Sequence, residues 1–265
     1  MMASLPRAAG FAGAEVGRHD TLTTNCTSES TAPVDRSFLP GPVLLLGAPG
    51  SGKGTQAQLL VSSFDIPQIS TGDLLRQHRR DRTELGMLAD DLMRQGQLVP
   101  DDLVNQMVAV RLAEPDTAAG YILDGFPRTL AQAEWLDAFA AKSGCLPPPV
   151  AIEIRVDEEH LLRRITGRRT CASCNRIYNI YYNPPKQDEI CDEDGSKLVH
   201  RGDDTEEAFH KRMHVYHSQT MPVISHYERS CRFRSVAGEA SVDIVATAIL
   251  AALHELRAQF PRGAC

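Results

Sequence analysis

The chain lacks any apolar run approaching the roughly 18–20 consecutive residues that cross a bilayer. Its most apolar segments are Val43–Leu46, which is only strand-length, and Ile244–Leu253, which is interrupted as an amphipathic helix would be. A membrane-spanning protein is therefore not expected. Positive charge is also short: 28 Lys and Arg stand against 34 Asp and Glu, a formal net charge of −6. General nucleic-acid binders are usually basic, so no nucleic-acid partner is expected, although arginines can still gather locally around an anion. Nor is there a disulfide framework. Seven cysteines, an odd number, are spread over 265 residues, unlike a small secreted scaffold. A reducing, cytoplasmic setting is expected, in which Asn25-Cys26-Thr27 matches the glycosylation pattern only by chance.

What is present suits a globular α/β protein. Hydrophobic residues make up 42% of the chain, and its length admits a full core plus one small inserted domain. Residues 1–41 stand apart, rich in Ala, Gly, Ser and Thr and without helical or strand period. They predict a disordered tail. A targeting extension is the alternative, weakened by Glu15, Asp20 and Glu29.

Order is expected from Pro42. Val43–Leu46 reads as a buried parallel strand, followed by a helix over Gln56–Ser62 and a short strand over Gln68–Ser70. Leu85, Leu88 and Leu92 share a helical face that Gly96 ends, and Asp101-Asp102 open another helix. Tyr121–Leu123 and Val150–Val156 read as strands, with a helix over Thr129–Phe139 between them. Asp157 and Asp204 are expected to cap helices, the second running to about Tyr227 with a kink at Pro222. A fifth strand over Phe233–Val236 and a final helix marked by Val242, Val245, Ile249 and Leu256 complete the pattern. Alternating strands and helices imply a five-stranded parallel sheet with helices on both faces, an α/β/α sandwich. Residues 167–204, rich in Cys, Gly and Pro, interrupt the pattern as an insertion.

Three groups of residues carry chemistry. Gly47-Ala48-Pro49-Gly50-Ser51-Gly52-Lys53-Gly54-Thr55 lies between the first strand and its helix, the context of a P-loop. Its glycines let backbone N–H groups wrap a phosphate, and Lys53 adds a mobile cation. The second group is arginine-rich: Arg76, Arg128, Arg164, Arg168, Arg201 and Arg212. A guanidinium fork matches phosphate oxygens. Asp124 ends the third strand at the ligand-binding edge of such sheets, where a carboxylate suits Mg²⁺ and its waters. The third group is Cys171-x2-Cys174 with Cys191-x2-Asp194, two close-spaced ligand pairs that read as a closed structural zinc site. Free thiols or a redox pair are the alternatives.

Taken together, the chain closely resembles the adenylate kinases, within the nucleoside monophosphate kinases. The resemblance runs from about Pro42 to Leu256. Besides the glycine-rich loop it rests on Ser70-Thr71-Gly72-Asp73-Leu74-Leu75-Arg76, Asp124-Gly125-Phe126-Pro127-Arg128-Thr129, Gly167-Arg168-Arg169 and Asn183-Pro184-Pro185-Lys186. It implies a core of residues 42–70, 101–166 and 205–265, a helical AMP-binding segment over 71–100 and a lid over 167–204. It further implies that Gly50, Ser51, Gly52, Lys53, Gly54, Thr55, Arg164, Arg168 and Tyr178 hold ATP. Thr71, Arg76, Gln97, Val99, Gly125, Arg128, Gln132, Arg201 and Arg212 would hold AMP. Lys53, Asp124, Arg128, Arg168, Arg201 and Arg212 would act in catalysis with Mg²⁺. The lid of three cysteines and one aspartate resembles the zinc-bearing subgroup. Gly202 departs from the pattern, since many relatives carry a basic residue there. ATP, AMP and ADP are the expected partners of a monomer. Rival readings are a kinase with GTP as donor or UMP/CMP as acceptor, a zinc-ribbon nucleic-acid module, and a catalytically silent family member. The long lid argues against the UMP/CMP type, the acidic balance against the ribbon, and the full arginine set against silence.

Overall fold

The computed structural model describes residues 40–95, 97–143 and 146–260. The N-terminal segment before Pro40, with Asn25, and the expected helix end at Gly96 lie outside these residues. Strand β1 (Gly41–Leu46) is buried along its whole length. Its side chains alternate between two apolar clusters. Val43 and Leu45 join α1 (Lys53–Phe64) and the C-terminal helix, whereas Leu44 and Leu46 face the helices of the opposite layer. That alternation follows from the two-residue period of a strand and makes the sheet the middle of three layers.

After α1 come β2 (Gln68–Ser70), α2 (Thr71–Arg80), α3 (Glu84–Arg94) and α4 (Asp101–Leu112). Then follow β3 (Gly120–Asp124), α5 (Leu130–Ser143), β4 (Val150–Arg155) and α6 (Glu158–Thr166). The insertion supplies β5 (Arg168–Cys171), β6 (Ile177–Asn179) and β7 (Leu198–Val199). The chain returns through α7 (Glu206–Val215), a π turn over Tyr216–Thr220, α8 (Met221–Arg229), β8 (Phe233–Ala237) and α9 (Val242–Gln259). The main sheet has the order β2-β3-β1-β4-β8, and all its pairings are parallel. Every strand therefore presents its C-terminal end to the same side, where open α/β sheets bind ligands. The insertion forms a separate antiparallel sheet, β6-β5-β7.

Several sequence expectations need correction. β1 begins at Gly41, and the Pro40 carbonyl already accepts from buried Arg257 of α9, so the N-terminal extension stops short of residue 41. Helix α2 falls within the helical segment expected over 71–100, and its start is fixed by Ser70, whose hydroxyl accepts from Asp73 N at 3.2 Å. Asp157 sits at the start of α6 but makes no side-chain cap. Asp204 does not cap α7 either. Thr205 does, accepting from Ala208 N at 3.2 Å, while Asp204 is buried against Arg168. The break expected at Pro222 is the π turn just before it, where the ladder widens rather than stops.

Candidate active site

The phosphate loop joins β1 to α1. Gly47 has φ 138°, and a Cβ there would lie 2.6 Å from the Ile154 carbonyl oxygen. Gly50 has φ 84° and would meet Leu161 O at 2.9 Å. Only glycine allows the loop to bend this tightly against β4 and α6. Lys53 folds back over the loop, donating to Gly47 O at 2.8 Å and Ala48 O at 2.9 Å. Burial, reinforced by Arg128, Arg212 and Arg168 and opposed by Asp124, lowers its pKa to about 8. Carbonyl oxygens hold this ammonium where phosphate oxygens would hold it better.

Gly50, Ser51, Gly52, Lys53, Gly54, Thr55, Asp124, Arg164, Arg168, Tyr178 and Arg201 border one large cleft. Thr71, Arg76, Gln97, Val99, Gly125, Arg128, Gln132 and Arg212 line a second, smaller pocket. Arg76, Arg128 and Arg212 line both spaces. The sequence-predicted residues are thus brought together, with Arg201 in the large cleft only.

Lys53, Arg76, Arg128, Arg168, Arg201 and Arg212 outnumber the carboxylates among them, Asp73, Asp124, Asp203 and Asp204. Burial and then Arg168 depress Arg212 to about 10, and burial, Arg168 and Arg76 do the same to Arg201. Burial also lowers Arg128, whose Nε donates to Gly125 O at 2.8 Å. Arg168 moves the other way. Burial lowers it, but hydrogen bonds to the Asp204 carboxylate together with the charges of Asp204, Asp203 and Asp124 more than offset that. A surplus of crowded, desolvated cations is stabilised by polyanions.

The smaller pocket has polar walls. Thr71 Oγ1 donates to Gly125 O at 2.9 Å, and Gln132 Nε2 donates to Asp101 Oδ1 at 2.7 Å. Gln132 Oε1 accepts from Arg128 N at 2.7 Å. The amide keeps one further donor and one lone pair for a ligand. On the other side, Arg164 reaches Ser51 O at 3.4 Å and Gly238 O at 2.9 Å, with the exposed Tyr182 ring 5.9 Å away. Tyr178 borders the cleft, but its hydroxyl is engaged inside the insertion.

Several contributors escaped the sequence reading. Asp73 holds Arg76 at 2.6 Å, and its place within the Ser70-led helix start was the available signal. Asp203 lines the smaller pocket beside Arg212. Thr220, brought in by the π turn, donates to the Arg128 carbonyl at 2.9 Å, and nothing in the sequence pointed to it. Gly202 is exposed, and no atom lies within 4 Å of where its Cβ would stand, so a side chain would fit there.

The oxygen donors near the loop suit a hard cation: Asp124 Oδ2 lies 3.5 Å from where a Cβ of Gly54 would stand, next to Thr55. In the insertion, one ligand atom from each of Cys171, Cys174, Cys191 and Asp194 lies within 4.8 Å of all the others. A tetrahedron with Zn–S bonds of about 2.3 Å has edges of about 3.8 Å. The observed edges include 3.6 Å for Cys174 to Cys191 and 3.5 Å for Cys171 to Asp194. The four residues therefore fit a closed zinc site, and the thiols are not joined as disulfides.

Among the described residues, no helix is long and apolar enough to cross a membrane. A family model described as adenylate kinase matches residues 45–232. An adenylate kinase of Thermodesulfovibrio yellowstonii is 46% identical over 213 residues, covering 80% of this chain and 99% of that protein. One from Caldanaerobacter subterraneus is 47% identical over 203 residues, covering 77% and 91%. One from Geotalea uraniireducens is 46% identical over 214 residues, covering 80% and 97%. A glycine loop at the sheet's edge, two adjoining anion pockets with arginines between them, and relatives aligned over nearly their whole length agree: the chain belongs to the adenylate kinase family.

Proposed function

We propose that the protein transfers a phosphoryl group reversibly from Mg-ATP to AMP, giving two ADP, with the large cleft as donor site and the smaller pocket as acceptor site. One observation carries this division: Arg76, Arg128 and Arg212 line both spaces, where a phosphoryl in transit would pass. No nucleophilic side chain is required, because the AMP phosphate itself attacks. Catalysis is then alignment and charge neutralisation.

In this reading Lys53 and the loop amides hold the donor phosphates, and Arg164 holds the nucleoside end. Arg168, Arg201 and Arg212 arrive from the insertion and α7 to neutralise the transferring group. Asp124 and Thr55 would hold the Mg²⁺ that ATP carries, and the ion would screen charge on the phosphates. Water has to be kept out, since ATP would otherwise be hydrolysed. The insertion, bearing arginines on a small independent sheet, is suited to close as a lid. Cys171, Cys174, Cys191 and Asp194 would hold a structural Zn²⁺ that stiffens it.

Thr71 and Gln132 support AMP as acceptor, because polar walls reject bases that leave their groups unpaired. A coupled assay of ADP formation with AMP, GMP, CMP and UMP tests the reading. AMP should lead by about two orders of magnitude in kcat/KM. Comparable values for UMP would overturn it.

A further inference from the structure

Tyr178 belongs to two places at once. It lies on β6, is 3% exposed, and packs in a buried cluster with Cys171, Cys191 and Leu198. Its hydroxyl has one proton to give and lone pairs to receive. Asp192 N donates to it at 2.8 Å, which occupies a lone pair and leaves the proton free. The acceptor in reach of that proton is Cys191 Sγ, at 3.5 Å. Cys171 Sγ, by contrast, receives backbone N–H groups, from Ser173 and Cys174, each at 3.4 Å. Three thiolates and a carboxylate around a divalent cation leave excess negative charge, and outer hydrogen-bond donors hold such ligands in place.

The strand carrying Tyr178 also rests on the phosphate loop. Tyr178 and its neighbours Ile177 and Asn179 border the donor cleft. Ile177 Cδ1 lies 3.0 Å from where a Cβ of Gly54 would stand, and Gln58 of α1 donates to Asn175 O at 3.2 Å. A ligand that fixes the loop and β6 thereby fixes the tyrosine whose proton reaches the thiolate.

We infer that Tyr178 couples the metal site to the donor site: its hydroxyl supports the Cys191 thiolate from outside the metal's ligand set while its strand senses the occupied phosphate loop. Metal retention and ATP binding are then linked, and linkage runs both ways. The inference rests on the zinc reading of the four ligands.

The test uses the full chain loaded with one zinc, and reads metal transfer to a metallochromic chelator with and without a non-hydrolysable ATP analogue. In the parent protein the analogue should slow zinc release. Tyr178→Phe keeps the ring and removes only the hydroxyl. Release should become about tenfold faster or more, as for other outer-shell losses, and the analogue should no longer slow it. Release from the Phe variant at the parent rate overturns the proposal. So does a variant that releases faster yet is slowed by the analogue to the same degree. If Tyr178→Phe does not fold, the parent alone decides: equal release rates with and without the analogue overturn the coupling. A parent chain that binds no zinc overturns the metal reading and this inference with it, a result distinct from loss of the coupling alone.

Discussion

Strand β1 is buried from end to end between two apolar clusters, whereas the buried hydrophobic cluster around β5, β6 and β7 of the insertion consists of Cys171, Tyr178, Cys191 and Leu198. The main sheet is held by the burial of Leu, Ile and Val, each contributing about 1.5–3 kcal/mol. The insertion has no such reserve. Two of the four residues in that cluster are candidate metal ligands, and a third bonds to one of them. A segment this poor in apolar contacts needs a staple to hold one shape. The contrast teaches a division of labour: the core supplies rigidity for the phosphate loop, whereas the order of the insertion rests on the few contacts around its four candidate ligands.

Lys53→Ala should break the core's function while leaving both regions folded. The expected loss in kcat is about 10²-fold or more, as for removed transition-state charge stabilisation, with unchanged circular dichroism. Activity within twofold of the parent would refute the role of the loop. Cys174→Ser should act on the other side of the comparison. Zinc content should fall, and protease cleavage should concentrate in residues 167–204, while hydrogen exchange in β1, β3 and β4 stays slow. Uniform loss of protection across both regions would show that they are not independent.

A smaller effect should appear with pH. The Lys53 pKa of about 8 belongs to the ligand-free enzyme, in which burial and neighbouring cations favour the neutral amine. As pH rises through about 8, kcat/KM for ATP should fall, approaching about tenfold per unit, because it reports the free enzyme. Bound phosphates favour the ammonium, so kcat should hold to higher pH. Parallel profiles for the two parameters would show that Lys53 does not sense the phosphates. The smallest effect is expected at the N-terminus. A chain starting at Pro40 should keep kcat within about twofold, since it retains all of β1 and the Pro40 carbonyl that Arg257 binds. Starting at Val43 should cost stability, because Arg257 donates to the Pro40 and Pro42 carbonyls and would lose both. Equal melting temperatures for the two truncations would refute this role for Arg257.

The phosphate loop, the Asp124–Arg128 run and the paired ligands of the insertion were legible because each packs its chemistry into a few consecutive residues. Strands β1 and β3 were legible from short apolar runs, and β4 from the alternation of Val150, Ile152 and Ile154 with Glu153 and Arg155. The insertion's strands were not: they have two to four residues each, too few to show a two-residue period. Asp204 and Thr205 are both good helix caps, and adjacent, so only burial against Arg168 separates their roles. The links from Thr220 to Arg128 and from Gln132 to Asp101 join residues far apart in the chain. Such pairings follow from packing, which one sequence does not display.

The uniform polarity of the main sheet has a practical consequence. With all five strands parallel, the phosphate loop leaves the C-terminal end of β1 while the preceding chain joins its N-terminal end at Gly41. The six residues of β1 separate these points by about 20 Å. A purification tag, a fluorophore or a surface tether placed before Pro40 is therefore attached on the side of the molecule facing away from the nucleotides. An enzyme immobilised by that end would present its cleft to the solution.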